Sequence, residues 1–275
     1  MTFSIVARST DGESWGVAVA SKFLAVGAVC PAAVAGVGAI ATQADANVAY
    51  KGLALAHLDE GATASVALQS LLEEDEGRDT RQVGIVDSDG GAASHTGHAC
   101  IDWAGSVTGD GYAIQGNILA GDFVVAAMQD AFEASEADGP LARRLLAALA
   151  AGDDAGGDKR GRQSAALLVV KEGAGYGGRD DIAVDLRVDD HADPVTELAR
   201  LLDLNDLYLT ASTIAEQVTI TDELREEIER LVRERGFEDL HAWASTENYE
   251  MRVDPGGEWI DEKILEILRG EEDGA

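Results

Sequence analysis

A strand that begins at the second residue constrains this chain more than any other feature. Thr2-Phe3-Ser4-Ile5-Val6-Ala7-Arg8 and Trp15-Gly16-Val17-Ala18-Val19-Ala20-Ser21-Lys22 are short apolar runs. Between them lies Ser9-Thr10-Asp11-Gly12-Glu13, with Asp-Gly at its centre, which predicts a β-hairpin. Chain ends are loose unless neighbours tie them down, so a buried strand this early needs partners on the rest of the chain. Its first residue carries a hydroxyl. A side chain as small as Thr after the initiator Met normally permits removal of that Met. Thr2 would then hold a free α-amine beside its own Oγ, the nucleophile-plus-base pairing of N-terminal threonine hydrolases. The same residue also reads as a Thr that merely opens an edge strand.

Charge excludes several partners. Asp and Glu number 51 against 21 Lys and Arg, a formal net charge of -30, and the only lysines are Lys22, Lys51, Lys159, Lys171 and Lys263. The acidic residues are spread along an apolar, patterned chain, which argues against disorder. Such a charge fits a high-salt cytoplasm, where screening suppresses self-repulsion. It argues against nucleic acid and against anionic membrane surfaces as partners. No run is long enough for a membrane-spanning helix, and the first residues lack a signal-peptide pattern, so a cytoplasmic protein is expected. Cys30 and Cys100 have no metal spacing. No metal and no cofactor is expected.

Periodicity sets the order of elements. Residues 24–41 read as two short buried strands broken by glycines and Pro31. Helical spacing covers Tyr50 to Glu60 and Thr63 to Glu74, with Thr63 as N-cap. A second Asp-Gly hairpin joins Gln82–Val86 to Ala92–Thr96, and strands are expected near Ala99–Trp103 and Gly111–Gln115. Helices Phe123–Ala137 and Leu141–Ala151 follow, then strands Ser164–Lys171 and Ile182–Val188. Strands, two helices, strands, two helices, strands predict an α+β fold with sheet packed on sheet and helices outside, a four-layer αββα sandwich over residues 1–200. Residues 201–275 read as a small, mostly helical acidic domain. It contains an amphipathic helix Asp222–Arg235, short helices at Phe237–Trp243 and Trp259–Leu268, and an acidic tail at 270–275.

Three polar loops besides Thr2 offer chemistry. Gly156-Gly157-Asp158-Lys159-Arg160-Gly161-Arg162-Gln163-Ser164 gathers scarce positive charge before a buried strand. It is either a neutraliser of nearby carboxylates, an anchor for a substrate carboxylate or a solvated loop. Gln115-Gly116-Asn117 supplies side-chain amides and a small residue, suited to an oxyanion hole or to an ordinary strand end with satisfied amides. Thr42-Gln43 and nearby Asp45 and Asn47 form a polar cluster after a buried strand, a common place to hang a site. Arg187-Val188-Asp189-Asp190-His191 reads as a metal-ligating group or as an Arg–Asp structural pair. No Gly-x-Ser-x-Gly elbow, dinucleotide fingerprint or P-loop is present.

Five separated stretches, Thr2–Ala7, Gly16–Phe23, Gln115–Leu119, Gly157–Leu167 and Leu186–His191, together resemble a prokaryotic family, the domain of unknown function 1028. That family is grouped with the N-terminal-nucleophile (Ntn) hydrolases, and the resemblance covers about residues 1 to 205. It implies an Ntn-type αββα sandwich and cleavage of an amide bond in a small molecule or peptide. On that footing Thr2 Oγ attacks an amide carbonyl and its amine relays the proton, while backbone groups with Asn117 or Gln115 stabilise the oxyanion. Lys22 would lower the amine's pKa. Arg160 would hold a substrate carboxylate, with Gln43, Gln163 and Ser164 lining the substrate. Known Ntn hydrolases expose the nucleophile by cutting away a propeptide, whereas here only Met1 precedes Thr2. The C-terminal part resembles a domain labelled as peptidoglycan-binding, and an oligomerisation or lid role is equally open. A homo-oligomeric amidohydrolase and a non-catalytic ligand-binding or assembly protein with the same fold are the two readings carried forward.

Overall fold

The computed structural model describes residues 2–137 and 139–271. The chain divides into two compact units, Met1–Leu201 and Leu202–Ala275. In the first unit the opening hairpin forms as β1 (Thr2–Arg8) and β2 (Ser14–Ser21), in antiparallel register with Phe3 opposite Ala20. A short helix α1 (Val26–Val29) leads to β3 (Pro31–Val34) and β4 (Gly38–Ala44). Residues 26–29 are therefore one helical turn and not a strand. The Ser164 hydroxyl, which accepts from Val26 N at 3.1 Å, fixes the start of that turn.

Helices α2 (Ala49–Asp59) and α3 (Ala64–Glu74) follow, and the Thr63 side chain caps α3 by accepting from Val66 N. The second hairpin is β5 (Arg81–Asp87) and β6 (Ala92–Thr96). Asp87 closes its turn by accepting from Asp89 N and Gly91 N. The next strand is β7 (Gly105–Gly109), later than the expected 99–103, and it pairs with β8 (Tyr112–Asn117). Residues 99–103 form a loop because their carbonyls serve the turn after β8: Ile101 O accepts from Ile118 N and Trp103 O from Leu119 N. Helices α4 (Phe123–Ala134) and α5 (Leu141–Asp154), strands β9 (Ser164–Lys171) and β10 (Ile182–Val188), and helix α6 (Pro194–Tyr208) complete the series.

The strands form two antiparallel sheets. One runs β10-β9-β2-β1-β8-β7 and the other β3-β4-β5-β6. β1 is thus an interior strand, hydrogen-bonded to β2 and β8, so Thr2 does not open an edge strand. Helices α4 and α5 pack on the six-stranded sheet, and α2 and α3 on the four-stranded one. β1, β2 and β8 face β3, β4, β5 and β6. Val6, Val17 and Val19 meet Ala39, Ala41 and Val86 there, a core of small side chains that lets the sheets approach closely. On the α5 side, Gly152 is required by close approach. A Cβ at that position would stand 2.6 Å from Met128 Cγ and 3.3 Å from Phe3 Cδ2.

Asp75, just past α3, ties α2, α3 and β5 together. Its carboxylate accepts from Arg81 Nε at 2.9 Å, Tyr50 Oη at 2.7 Å and Gly77 N at 2.7 Å. The Arg81 hydrogen bond foremost holds it well below the usual carboxylate range, against an opposing effect of burial. A carboxylate lowered by folding adds stability that is complete above its unfolded value of about 3.9 and is lost as pH falls below it. Asp75→Asn is therefore expected to destabilise the protein near neutrality and to flatten the acid side of its stability curve. Urea denaturation between about pH 6 and pH 2 measures this; parallel curves for the two proteins would refute it.

In the second unit β11 (Gln217–Thr219) pairs with β12 (Trp259–Asp261), a two-stranded ribbon hidden from helical periodicity by its length. Helices α7 (Asp222–Glu234), α8 (Leu240–Thr246) and α9 (Glu262–Arg269) bury Ile228, Val232, Trp243, Ile264 and Leu268 with Tyr249. α9 starts later than expected because 259–261 is strand. Of the expected tail, residues 272–275 lie outside the described residues. No helix among the described residues is long and apolar enough to cross a membrane.

Candidate functional site

The register of the six-stranded sheet brings four polar side chains into one row at its end. Thr2 lies opposite Asn117, and Ser21 opposite Ser164. Thr2 Oγ1 and Ser21 Oγ are 3.1 Å apart. The row thus reads Asn117, Thr2, Ser21, Ser164 across β8, β1, β2 and β9. Directly paired residues share a face, and Thr2 shares the face of Ser4 and Val6 two and four positions on, the face toward the second sheet. Thr2 is 7 % exposed, so its hydroxyl sits in a largely dry setting next to a second hydroxyl.

Behind the row lies a layer of buried amides between the sheets. Gln82 of β5 is its hub. Its Oε1 accepts from Gln43 Nε2 at 2.8 Å and Asn117 Nδ2 at 2.9 Å. Its Nε2 donates to Gly116 O at 2.7 Å and Thr96 Oγ1 at 2.9 Å, and more weakly to Gly105 O at 3.2 Å. Gln43 Nε2 also donates to Thr2 O at 3.2 Å, where Asn117 Nδ2 reaches 3.5 Å. Gln115 Nε2 donates to Ser4 Oγ at 2.6 Å, and Ser4 Oγ donates to Gln43 Oε1 at 2.7 Å. Gln115 packs over a glycine for a steric reason. A Cβ on Gly84 would stand 2.0 Å from Gln115 Oε1. Cys30 lies beside Gln43, but burial pushes its thiol up to about 12, which keeps it neutral and unreactive.

Loop 156–163 closes the end of the sheet around the buried carboxylate of Asp158. Asp158 Oδ2 accepts from Lys22 N at 2.7 Å, and Oδ1 accepts from Arg160 N at 2.8 Å. The Arg160 guanidinium stands 3.3 Å from the same carboxylate. Arg162 pairs with Asp153 at 2.8 Å; burial raises the Asp153 carboxyl in spite of that partner. The loop therefore neutralises two carboxylates of its own region.

The structure gathers only part of the expected set. Thr2 and Asn117 stand side by side. Lys22 does not turn toward Thr2; it is exposed and its Nζ donates to Arg162 O at 3.1 Å. Gln43 and Gln115 are enclosed in the amide layer, their NH2 groups bonded to protein atoms and out of reach of a substrate. Ser164 is likewise buried and anchors the β2–α1 turn through Phe23 O and Val26 N. Gln163 Nε2 donates to Asp190 Oδ1 on the surface. Arg187 pairs with Asp185 at 2.9 Å, an Arg–Asp pair made within β10. A groove of about 640 Å³ along α3 and β6, lined by Leu68, Leu72, Arg78 and Ser94 among others, does not include the Thr2 row.

Ser21 and Gln82 escape the reading of the sequence as site residues, and Asp158 enters it only as one member of the basic loop. The hairpin register is the signal for Ser21: if Phe3 faces Ala20, Thr2 faces Ser21. Gln82 is a polar residue opening the apolar run Val83-Gly84-Ile85-Val86, in the same way that Ser4 interrupts β1.

No curated protein matches the chain. Among solved structures, protein SPO2555 from Silicibacter pomeroyi, itself assigned to the same family of unknown function, is 34% identical. The match covers 74% of this chain and 89% of that one, with a TM-score of 0.67. The ancestral beta-subunit Anbu from Yersinia bercovieri is 12% identical, with a TM-score of 0.33 over 74% of this chain and 93% of that one. The family model described as a family of unknown function (DUF1028) matches residues 2–198, and the chain belongs to that family.

Proposed function

We propose that the protein is an Ntn-type amidohydrolase with Thr2 as nucleophile, its first unit an αββα sandwich of that kind. The observation that carries the reading is the position of Thr2. It opens an interior strand, nearly buried, with Oγ1 3.1 Å from the Ser21 hydroxyl and Asn117 beside it. Once Met1 is removed, the α-amine of Thr2 serves as base for its own hydroxyl. Oγ1 adds to the carbonyl carbon of an amide and its proton passes to the amine. The amine then protonates the leaving nitrogen as the C–N bond breaks. Water cleaves the resulting ester and returns Thr2. Ser21 orients Oγ1 by sharing its hydrogen bond. Asn117 and Gln43, which hold Thr2 O, fix the backbone at the nucleophile and are positioning residues here. The oxyanion then relies on backbone N–H groups at the row's end.

The test is intact mass before and after exposure to a β-lactone, which acylates activated N-terminal threonines. Wild type is expected to lack Met1 and take one adduct on Thr2. Thr2→Ala is expected to take none and to lose roughly a thousandfold or more of any amidase activity. The exposed direction of Lys22 and the engagement of the Gln115 and Asn117 amides favour the second reading, a non-catalytic ligand-binding or assembly protein. A retained Met1, or a mature protein that never labels, would sink the hydrolase reading and leave the second.

A further inference from the structure

The two sheets of the first unit end on four edge strands: β3 and β6 in one, β7 and β10 in the other. An edge carries unpaired N–H and C=O groups and adds a further strand unless something blocks it. Two of the four are blocked. β3 opens on Pro31, which has no N–H to offer. β10 carries Asp185 and Arg187, and its register shifts between Ile182 and Val184. By contrast, β6 reads Ala92-Ala93-Ser94-His95-Thr96 and β7 reads Gly105-Ser106-Val107-Thr108-Gly109, with no proline, no formal charge and an unbroken register. From Gly90 to Gly109 the only Asp, Glu, Lys or Arg is Asp102, whereas these residues make up 26% of the chain. The acids have been kept off this side of the sandwich.

The register of β5 with β6 fixes which groups of β6 are open. Asp87 N donates to Gly91 O at one end and Gly97 N to Arg81 O at the other. Hydrogen-bonded pairs therefore fall on the odd-numbered residues of both strands. The N–H and C=O of Ala92, Ser94 and Thr96 point away from β5, and no turn or loop hydrogen bond uses them among the described residues. Their side chains face β7, where Ser94 Oγ donates to Ser106 Oγ at 3.0 Å. Beside this edge runs the groove of about 640 Å³, between Leu68 and Leu72 of α3 and Ala93 and Ser94 of β6, with Thr108 of β7 also in its wall. One acid, Glu73, and one base, Arg78, line it, so the groove has no net charge.

We propose that two copies of this chain associate through β6, paired antiparallel about a two-fold axis at Ser94, so that their four-stranded sheets become one continuous sheet. The open groups recur at every second residue and are symmetric about Ser94. Ser94 then pairs with Ser94 of the partner subunit, and Ala92 with Thr96 of the partner subunit, which satisfies every outward N–H and C=O. Closing the groove takes its apolar bank out of water and adds side-chain burial to the strand pairing. Charge decides for a second copy over an unrelated strand. An acidic protein draws a basic partner through its acids, whereas a face cleared of acids suits a body that carries the same net charge of -30. The association does not depend on the chemistry at Thr2.

The experiment is sedimentation equilibrium of the full-length protein at low and high potassium chloride, with amide hydrogen exchange of residues 92–96. A mass twice that of the 28.8 kDa chain is expected. The dimer should tighten roughly tenfold between about 0.1 M and 2 M salt, because salt screens the repulsion between two acidic bodies. The amides of Ala92, Ser94 and Thr96 should exchange more slowly as protein concentration rises. Ser94→Pro removes an outward N–H without touching the β5 ladder, and is expected to weaken the dimer roughly tenfold or more. Thr108→Glu, at an exposed position in the groove wall, is expected to do the same and decides the matter if the proline variant fails to fold. Ala126→Glu adds the same charge at an exposed position of α4 and should leave the dimer intact. A single-chain mass at about 100 μM in high salt, or a dimer that survives Thr108→Glu and a folded Ser94→Pro, would overturn the proposal. A dimer that loosens as salt rises would show that opposite charges hold it, and would overturn the choice of this uncharged edge.

Discussion

Replacement of Gln82 by leucine is expected to lower stability by about 2–4 kcal/mol, and the melting temperature by roughly 5–15 °C. The estimate follows from counting what is left without a partner. Gln43 Nε2 keeps Thr2 O and Gln115 O as acceptors. Asn117 Nδ2 keeps only the 3.5 Å contact to Thr2 O, and Gly116 O loses its side-chain donor inside the layer. Two buried groups that lose their shortest side-chain partner, at about 1–3 kcal/mol each, outweigh the gain from burying an apolar side chain of similar size. Gln82→Glu should be as damaging or worse, since a carboxylate accepts but cannot donate to Gly116 O. Thermal unfolding followed by circular dichroism measures this. A melting temperature within about 2 °C of wild type would mean that the amide layer is not the scaffold of the Thr2 row. Slower β-lactone labelling in a folded Gln82 variant would show that the layer also positions the nucleophile.

The sequence made the first unit legible wherever period and turn chemistry were local. Asp-Gly turns located both hairpins, and Thr63 located the start of α3. Register then does the rest of the work, and a single sequence shows it poorly. Ser21 follows from the register of the local hairpin, whereas Asn117 stands beside Thr2 only because β8 pairs with the other side of β1, a non-local pairing no period reveals. The amides of Gln43 and Gln115 read as substrate groups because polar residues near strand ends suggest a site. Sheet stacking instead turns Gln43 onto Gln82, 39 positions away in sequence, and Gln115 onto Ser4 and over Gly84. Lys22 illustrates the same limit. Its position one residue past Ser21 is legible, but its direction depends on Asp158 gripping its backbone N–H. The loop at 99–103 reads as strand because its residues alternate suitably, while two of their carbonyls are claimed by Ile118 and Leu119. In the second unit, β11 and β12 are three residues each, too short to give a period of two.

Asp261→Ala is expected to be the most damaging single substitution in the second unit, costing about 4 kcal/mol. Asp261 Oδ2 accepts from Arg252 Nη1 at 2.8 Å and from Ser212 Oγ at 2.5 Å, while Oδ1 accepts from Lys263 N at the start of α9. Removing the carboxylate therefore deletes a helix cap worth about 1 kcal/mol and leaves a guanidinium, 8 % exposed, without its close counter-ion. Breaking one side of a buried pair costs about 3–5 kcal/mol, because the survivor remains desolvated and charged. Leu207 O, Asp206 O and the more distant Glu216, 3.7 Å away, offset only part of that. Denaturant unfolding followed by amide hydrogen exchange in residues 202–271 measures the loss. Asp261→Asn should fall between, since its Oδ1 still caps α9. Asp261→Leu combined with Arg252→Met should recover most of the stability lost by Asp261→Leu alone, because no charge is then stranded. If the double variant is as unstable as the sum of the singles, the two side chains act independently, and the pair is not what joins the β12–α9 corner to the end of α6.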